Sequence, residues 1–132
     1  MKARILVVED NQPNRELLSD WLEAEGFEVL SAENLKQSFA ALRDEGIDAI
    51  LLDVQLGADD GLCVATWVRN QPALRNTPII AVTAHAMVTD QERVLNAGCN
   101  TSISKPIEFR LLREQLDRWL GQPAYSPPAS RL

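Results

Sequence analysis

Four short apolar runs in this chain each close on a polar residue capable of chemistry, and the segments between them have the length and period of helices. The runs are Ile5-Leu6-Val7-Val8, closing on Glu9-Asp10; Ala49-Ile50-Leu51-Leu52, closing on Asp53; Ile79-Ile80-Ala81-Val82, closing on Thr83; and the weaker Thr101 to Ser104, closing on Lys105. A continuous apolar run, rather than an alternating one, predicts a strand buried on both faces, as parallel strands are. The polar residues then gather at the carboxyl ends of the strands, where open α/β sheets bind their ligands.

Helical spacing fills the intervals. Leu17, Leu18, Trp21 and Leu22 follow a start signal at Asn11 and Pro13 and stop at Gly26. Phe27 to Leu30 forms a second strand, and Asn34 caps a helix carrying Leu35, Phe39 and Leu42 that ends near Gly46. A third helix follows Gly61, a fourth runs from about Val88 to Ala97, and a fifth from Ile107 to Leu120 before Gly121. Five strands alternating with five helices imply right-handed crossovers and a doubly wound parallel sheet covered on both sides. At 132 residues and 45% hydrophobic content the chain suits one domain, expected over residues 1–121. Residues 122–132 hold three of the seven prolines with Ser and Ala and have no apolar period, which predicts a flexible tail or the start of a linker.

The net charge of −6 argues against direct binding to nucleic acid or an anionic membrane, since both reward a basic face. No apolar stretch reaches the roughly 18 residues of a membrane span and no signal-peptide pattern opens the chain, so a cytoplasmic location is expected. Cys63 and Cys99 belong to no CxxC or His-rich pattern and are expected as buried free thiols. Trp21, Trp67 and Trp119 fit the apolar periods of their helices and are expected to pack against the core.

The chemistry starts with the acids. With the first and third strands adjacent, Glu9, Asp10 and Asp53 bring three carboxylates together, and that charge calls for a hard divalent cation. Magnesium fits a site of oxygen ligands without His or Cys. Lys105 can pair with Asp53 at rest and with a phosphoryl oxygen after transfer, while the Thr83 hydroxyl and the Ala84 amide offer donors to other oxygens. A carboxylate nucleophile attacking phosphorus yields an acyl phosphate.

These residues carry a resemblance. Val7-Val8-Glu9-Asp10-Asn11, Leu51-Leu52-Asp53-Val54-Gln55, Ala81-Val82-Thr83-Ala84-His85-Ala86 and Ser104-Lys105-Pro106 are similar, in order and separation, to the motifs of response-regulator receiver domains of bacterial two-component systems, over about residues 3–120. Among these the chain is most similar to stand-alone receivers of the DivK type and to hybrid-kinase receivers. The resemblance implies a flavodoxin-like α/β fold of strand order 2-1-3-4-5, an order the residues alone do not supply. It implies phosphorylation of Asp53 by a histidine kinase or phosphotransfer protein, with Mg2+ organised by Glu9, Asp10, Asp53 and the backbone carbonyl of Gln55. It further implies that His85 and the Gln55 side chain tune the lifetime of the phosphorylated state, and that the output is contact with a downstream protein through the fourth and fifth helices. Weak homodimer formation stays open. The chain is expected to catalyse only its own phosphorylation and dephosphorylation.

Three positions depart from the family. Ser102 stands where receivers carry the aromatic that reports phosphorylation, so the switch of Thr83 and Ser102 lacks its usual rotor. Gly57 replaces a proline and is expected to loosen the loop after the metal-binding carbonyl. Asp59 adds an acid where the family often has an apolar residue, while Asp60 is placed to cap the third helix. Rival readings are weaker. A haloacid-dehalogenase phosphatase needs a second aspartate where Gln55 stands, and a flavodoxin-like flavin binder would not place Glu9-Asp10 where a phosphate must sit. The main alternative is a degenerate receiver that binds partners without phosphorylation.

Overall fold

The structure is a computed structural model and describes residues 2–44, 46–84 and 88–121. In chain order its elements are β1 (Arg4–Val8), α1 (Gln12–Ala24), β2 (Glu28–Ala32), α2 (Leu35–Asp44), β3 (Ala49–Asp53), the short pair β4 (Gln55–Leu56) and β5 (Asp59–Asp60), α3 (Leu62–Arg69), β6 (Ile79–Thr83), α4 (Val88–Asn96), β7 (Thr101–Ser104) and α5 (Phe109–Leu120). The main sheet is parallel throughout with order β2-β1-β3-β6-β7. That is the expected 2-1-3-4-5 order once the β4–β5 hairpin is set aside.

Burial explains which runs were strongest in the sequence. The inner strands β3 and β6 are buried at every position and β1 at all but its first residue, whereas β2 and β7 lie at the edges and are only partly covered. Successive side chains point to opposite faces of the sheet. Leu6, Val8, Ile50, Leu52, Ile79 and Ala81 therefore face α2, α3 and α4, and Ile5, Val7, Ala49, Leu51 and Ile80 face α1 and α5.

Local signals explain the helix limits. Asn11 Oδ1 accepts the Asn14 amide at 3.0 Å, satisfying an otherwise orphaned donor of the first turn of α1. The helix ends in paired bonds, Gly26 N to Glu23 O at 3.1 Å and Phe27 N to Leu22 O at 3.0 Å, the Schellman arrangement. These bonds use Phe27, so β2 starts at Glu28 rather than Phe27. α5 starts at Phe109, two residues later than its apolar period suggests, because Pro106 and Ile107 belong to the connection from β7.

One expectation is corrected. Cys99 is buried, but Cys63 is exposed. On α3 the inward face is taken by Leu62, Val64, Ala65 and Val68, which leaves Cys63 on the outer side of the turn. The tryptophans do pack: Trp119 is buried, Trp21 lies 5.0 Å from Phe109 between ring centroids, and Trp67 lies 5.0 Å from Phe39. Among the described residues no helix is long and apolar enough to cross a membrane.

Candidate functional site

The carboxyl ends of β1, β3, β6 and β7 bring Glu9, Asp10, Asp53, Thr83 and Lys105 to one edge of the sheet. Register does this: Val8 pairs with Leu52, Asp53 with Val82, and Thr83 with Ser104, so each chemical residue leaves its strand at the same level. Glu9, Asp53 and Thr83 are 3%, 4% and 5% exposed, and Asp10 is open to solvent. Asp53 is held through both oxygens. Its Oδ1 accepts the Gln55 amide at 3.1 Å and its Oδ2 accepts Lys105 Nζ at 3.0 Å. Lys105 Nζ also lies 3.6 Å from Glu9 Oε1, and its own amide donates to Thr83 O at 2.8 Å. The Lys105–Pro106 peptide bond is cis.

Charge at this edge is unbalanced. One oxygen from each of Glu9, Asp10 and Asp53 lies within 4.8 Å of the others, against the single ammonium of Lys105. Burial, then the hydrogen bond with Asp53 and the repulsion of its charge, push the Glu9 carboxyl up to about 7, although the Asn11 amide and Lys105 pull the other way. Burial tends to lower the Lys105 pKa, but its pairing with Asp53 and Glu9 raises it overall. Octahedral oxygen ligands at about 2.1 Å from a magnesium ion stand roughly 3–4 Å apart, so a small inward movement of these carboxylates suits one. A donor set of oxygens alone, with surplus negative charge, fits such a hard cation.

A cleft of about 360 Å³ opens over Asp53, lined also by Gln55, Gly57, Thr83, Ala84 and Lys105. Gln55 is exposed, and Ser102 lies half-buried on β7, in register with Ala81, and does not line this cleft. His85 lies outside the described residues.

The loop beyond Asp53 differs from the expectation of a loosened segment. β4 and β5 pair antiparallel, Gln55 with Asp60 and Leu56 with Asp59, around the two-residue turn Gly57-Ala58. Gly57 has φ +57°, and no described non-glycine residue has positive φ, so the turn has glycine alone in its left-handed first position, as a type II′ hairpin requires. Proline cannot adopt that angle. Asp60 Oδ1 accepts the Leu62 amide at 3.0 Å, which caps the start of α3.

Sequence reasoning missed three contributors. Arg15 donates to the backbone oxygens of Glu9 at 2.8 Å and Asp10 at 3.4 Å, clasping the acidic turn; its place one helical turn after the acids was the available signal. Gly61 packs against the backbone carbonyls of Asp53 and Val54, where no side chain would fit. Arg93 of α4 pairs with Asp60 at 3.0 Å, a contact no local pattern announces.

Comparison with known proteins agrees with this geometry. Residues 5–117 match the response regulator receiver domain family. The polar-differentiation response regulator DivK of Brucella anthropi is 39% identical over 92% of this chain and 98% of its own length, and that of Brucella ovis is 38% identical over the same shares. Among solved structures, the receiver domain of a sensor histidine kinase from Pseudomonas aeruginosa PAO1, with a magnesium ion coordinated in its active-site cleft, has a TM-score of 0.84 at 34% identity, covering 92% of this chain and all of that one. A putative response regulator of Chloroflexus aurantiacus has a TM-score of 0.87 at 26% identity, with the same coverage. Sequence, topology and strand-end geometry thus converge: the chain belongs to the response-regulator receiver domains of two-component signalling.

Proposed function

We propose that this receiver is a phosphorylation switch in which Asp53 accepts a phosphoryl group from a histidine kinase or histidine phosphotransfer protein, with Mg2+ held by Glu9, Asp10, Asp53 and the Gln55 backbone carbonyl. The observation that carries the reading is the Asp53 carboxylate, buried at a strand end yet opening on a cleft, with one oxygen held by an amide and the other by Lys105. Positioning of this kind is most of what a protein contributes to phosphoryl transfer. An Asp53 oxygen bonds to phosphorus as the P–N bond of a phosphohistidine breaks; the electron pair stays with the imidazole, which takes a proton from solvent. Lys105 then turns from the carboxylate to a phosphoryl oxygen, and the Thr83 hydroxyl and Ala84 amide donate to others. Bound magnesium would supply divalent charge to offset that of the transferred group.

The donor has a place to dock. A hollow of about 450 Å³ beside the site is walled by Leu17, Leu18, Ile107 and Phe109 and reaches Glu9 and Lys105, so an apolar helix face seated there would bring its phosphohistidine to the cleft. Residues 1–121 form the switch, with His85 and Gln55 setting the lifetime of the acyl phosphate; the tail or linker expected over 122–132 lies outside the described residues. The product is a changed protein contact in the cytoplasm, not a turned-over substrate.

Incubation with acetyl phosphate and magnesium, followed by intact mass, tests the reading. A phosphoryl mass that requires both magnesium and Asp53 is expected; its absence would sink the phosphorylation switch and leave the phosphorylation-independent binding module.

A further inference from the structure

Arg93 and Asp60 line the same cleft as Asp53, Thr83 and Lys105, and they are paired with each other at 3.0 Å. We infer that Arg93 is a second cationic ligand for the phosphoryl group of Asp53, held in reserve by Asp60 in the resting protein. The inference rests on the reading of Asp53 as phosphoacceptor and adds to it a residue on an element that carries no receiver motif.

Three observations support the exchange. The resting pair is a surface pair, with side chains 53% and 47% exposed, and such pairs contribute little and break easily. A phosphoryl dianion offers a guanidinium more charge and more acceptor oxygens than a lone carboxylate, in a geometry that suits two parallel hydrogen bonds. The helix that carries Arg93 is also loosely anchored. Among the described side chains of α4 only Val94 is buried, and Leu95 is 55% exposed, whereas α5 buries Leu112, Leu116 and Trp119. Such a helix can follow its arginine at small cost.

The exchange would also reach beyond the cleft. Asp60 and Arg93 form part of the wall of a second groove, of about 620 Å³, between α3 and α4, where Phe39, Cys63 and Trp67 lie. Releasing the pair alters that wall directly. With Ser102 in place of a rotating aromatic, this gives phosphorylation a route to the surface through α4.

Beryllofluoride with magnesium, titrated into the full chain by calorimetry, tests the assignment on wild type, Arg93→Ala, Asp60→Asn and the double variant. Asn at position 60 keeps an oxygen for the Leu62 amide, so the start of α3 is preserved. Arg93→Ala should weaken binding about five-fold, the net of a charged hydrogen bond gained and a surface pair given up. Asp60→Asn should tighten binding, Arg93→Lys should recover part of the loss, and the gain from Asp60→Asn should vanish when Arg93 is Ala. A purely structural pair would shift both single variants in the same direction, and that result, or no change in Arg93→Ala, overturns the inference. Wild type that fails to bind in an Asp53-dependent manner sinks the phosphoacceptor reading and this inference together; wild type that binds while the variants match it sinks this inference alone.

Discussion

The two ends of β6 solve the problem of polar groups at a sheet edge in opposite ways. At its amino end the Arg69 guanidinium donates to the backbone oxygens of Gly98 at 2.9 Å, Arg75 at 2.8 Å and Thr77 at 2.7 Å, and to Asn100 Oδ1 at 2.9 Å. Asn100 Oδ1 also accepts the Ile79 amide at 2.7 Å, and the Asn100 amide donates to Ile79 O at 2.8 Å. This one cation meets neutral acceptors and ties α3, β6 and the start of β7 together. At the carboxyl end three carboxylates gather around the Lys105 ammonium, and burial, with the neighbouring Asp53 second, raises the Glu9 carboxyl to about 7. The amino end is satisfied by the protein's own groups; the carboxyl end is left to be satisfied by something that binds. Stability and function are thus assigned to opposite edges of one strand.

Substitutions at the two ends should therefore separate. The largest effect is expected from Asp53→Asn, which should reduce phosphoryl uptake from acetyl phosphate by about a thousand-fold or more, read by intact mass, with no loss of thermal stability because a buried charge is removed. Arg69→Ala should do the reverse. It removes the donor to the part-buried carbonyls of Gly98 and Thr77 and to the Asn100 side-chain oxygen, and urea unfolding should show a loss of about 3 kcal/mol with phosphorylation kept at temperatures where the variant is folded.

A smaller effect concerns pH without divalent cation. Glu9 binds its proton more tightly when folded, about 7 against the ordinary 4.5. Its contribution to stability is fully present below about pH 4.5 and is lost as pH rises through about 7, an effect on the order of 1–3 kcal/mol. Glu9→Gln should flatten that slope in urea unfolding, and magnesium should stabilise wild type more at pH 8 than at pH 5, because it favours the ionised carboxylates. A variant that kept the full slope would place the titrating group elsewhere. The smallest effect is expected for Gly57→Ala: the left-handed turn costs about 1 kcal/mol with a Cβ, but the nearest contact, Asp10 Oδ2 at 3.7 Å, leaves room for it. Magnesium affinity by calorimetry should change little, and a large loss would mean that the hairpin positions the metal ligands.

Much of this was legible. Continuous apolar runs marked β1, β3 and β6 because each is buried on both faces, and a polar residue directly after such a run has to lie at the sheet edge. The weaker signal at β7 was informative too, since β7, like β2, is an edge strand. Less legible was the segment after Asp53, where Gly57 suggested slack but the chain forms a tight hairpin; a two-residue turn is fixed by pairing across it, not by composition. Cys63 was misjudged because burial was inferred from residue type, and the helix turned it outward.

The amino-acid sequence by itself determined the alternation of strand and helix, the family, and the set of acids, threonine and lysine at strand ends, because each rests on local period or on residues within one short motif. Only the tertiary structure decided which residues from distant segments meet: the clasp of Arg15 on the acidic turn, Arg69 against Asn100, and Arg93 on Asp60 across 33 positions of chain. Those contacts depend on the crossing of helices over a twisted sheet, and long, flexible arginine side chains find partners by reach in space rather than by spacing in sequence.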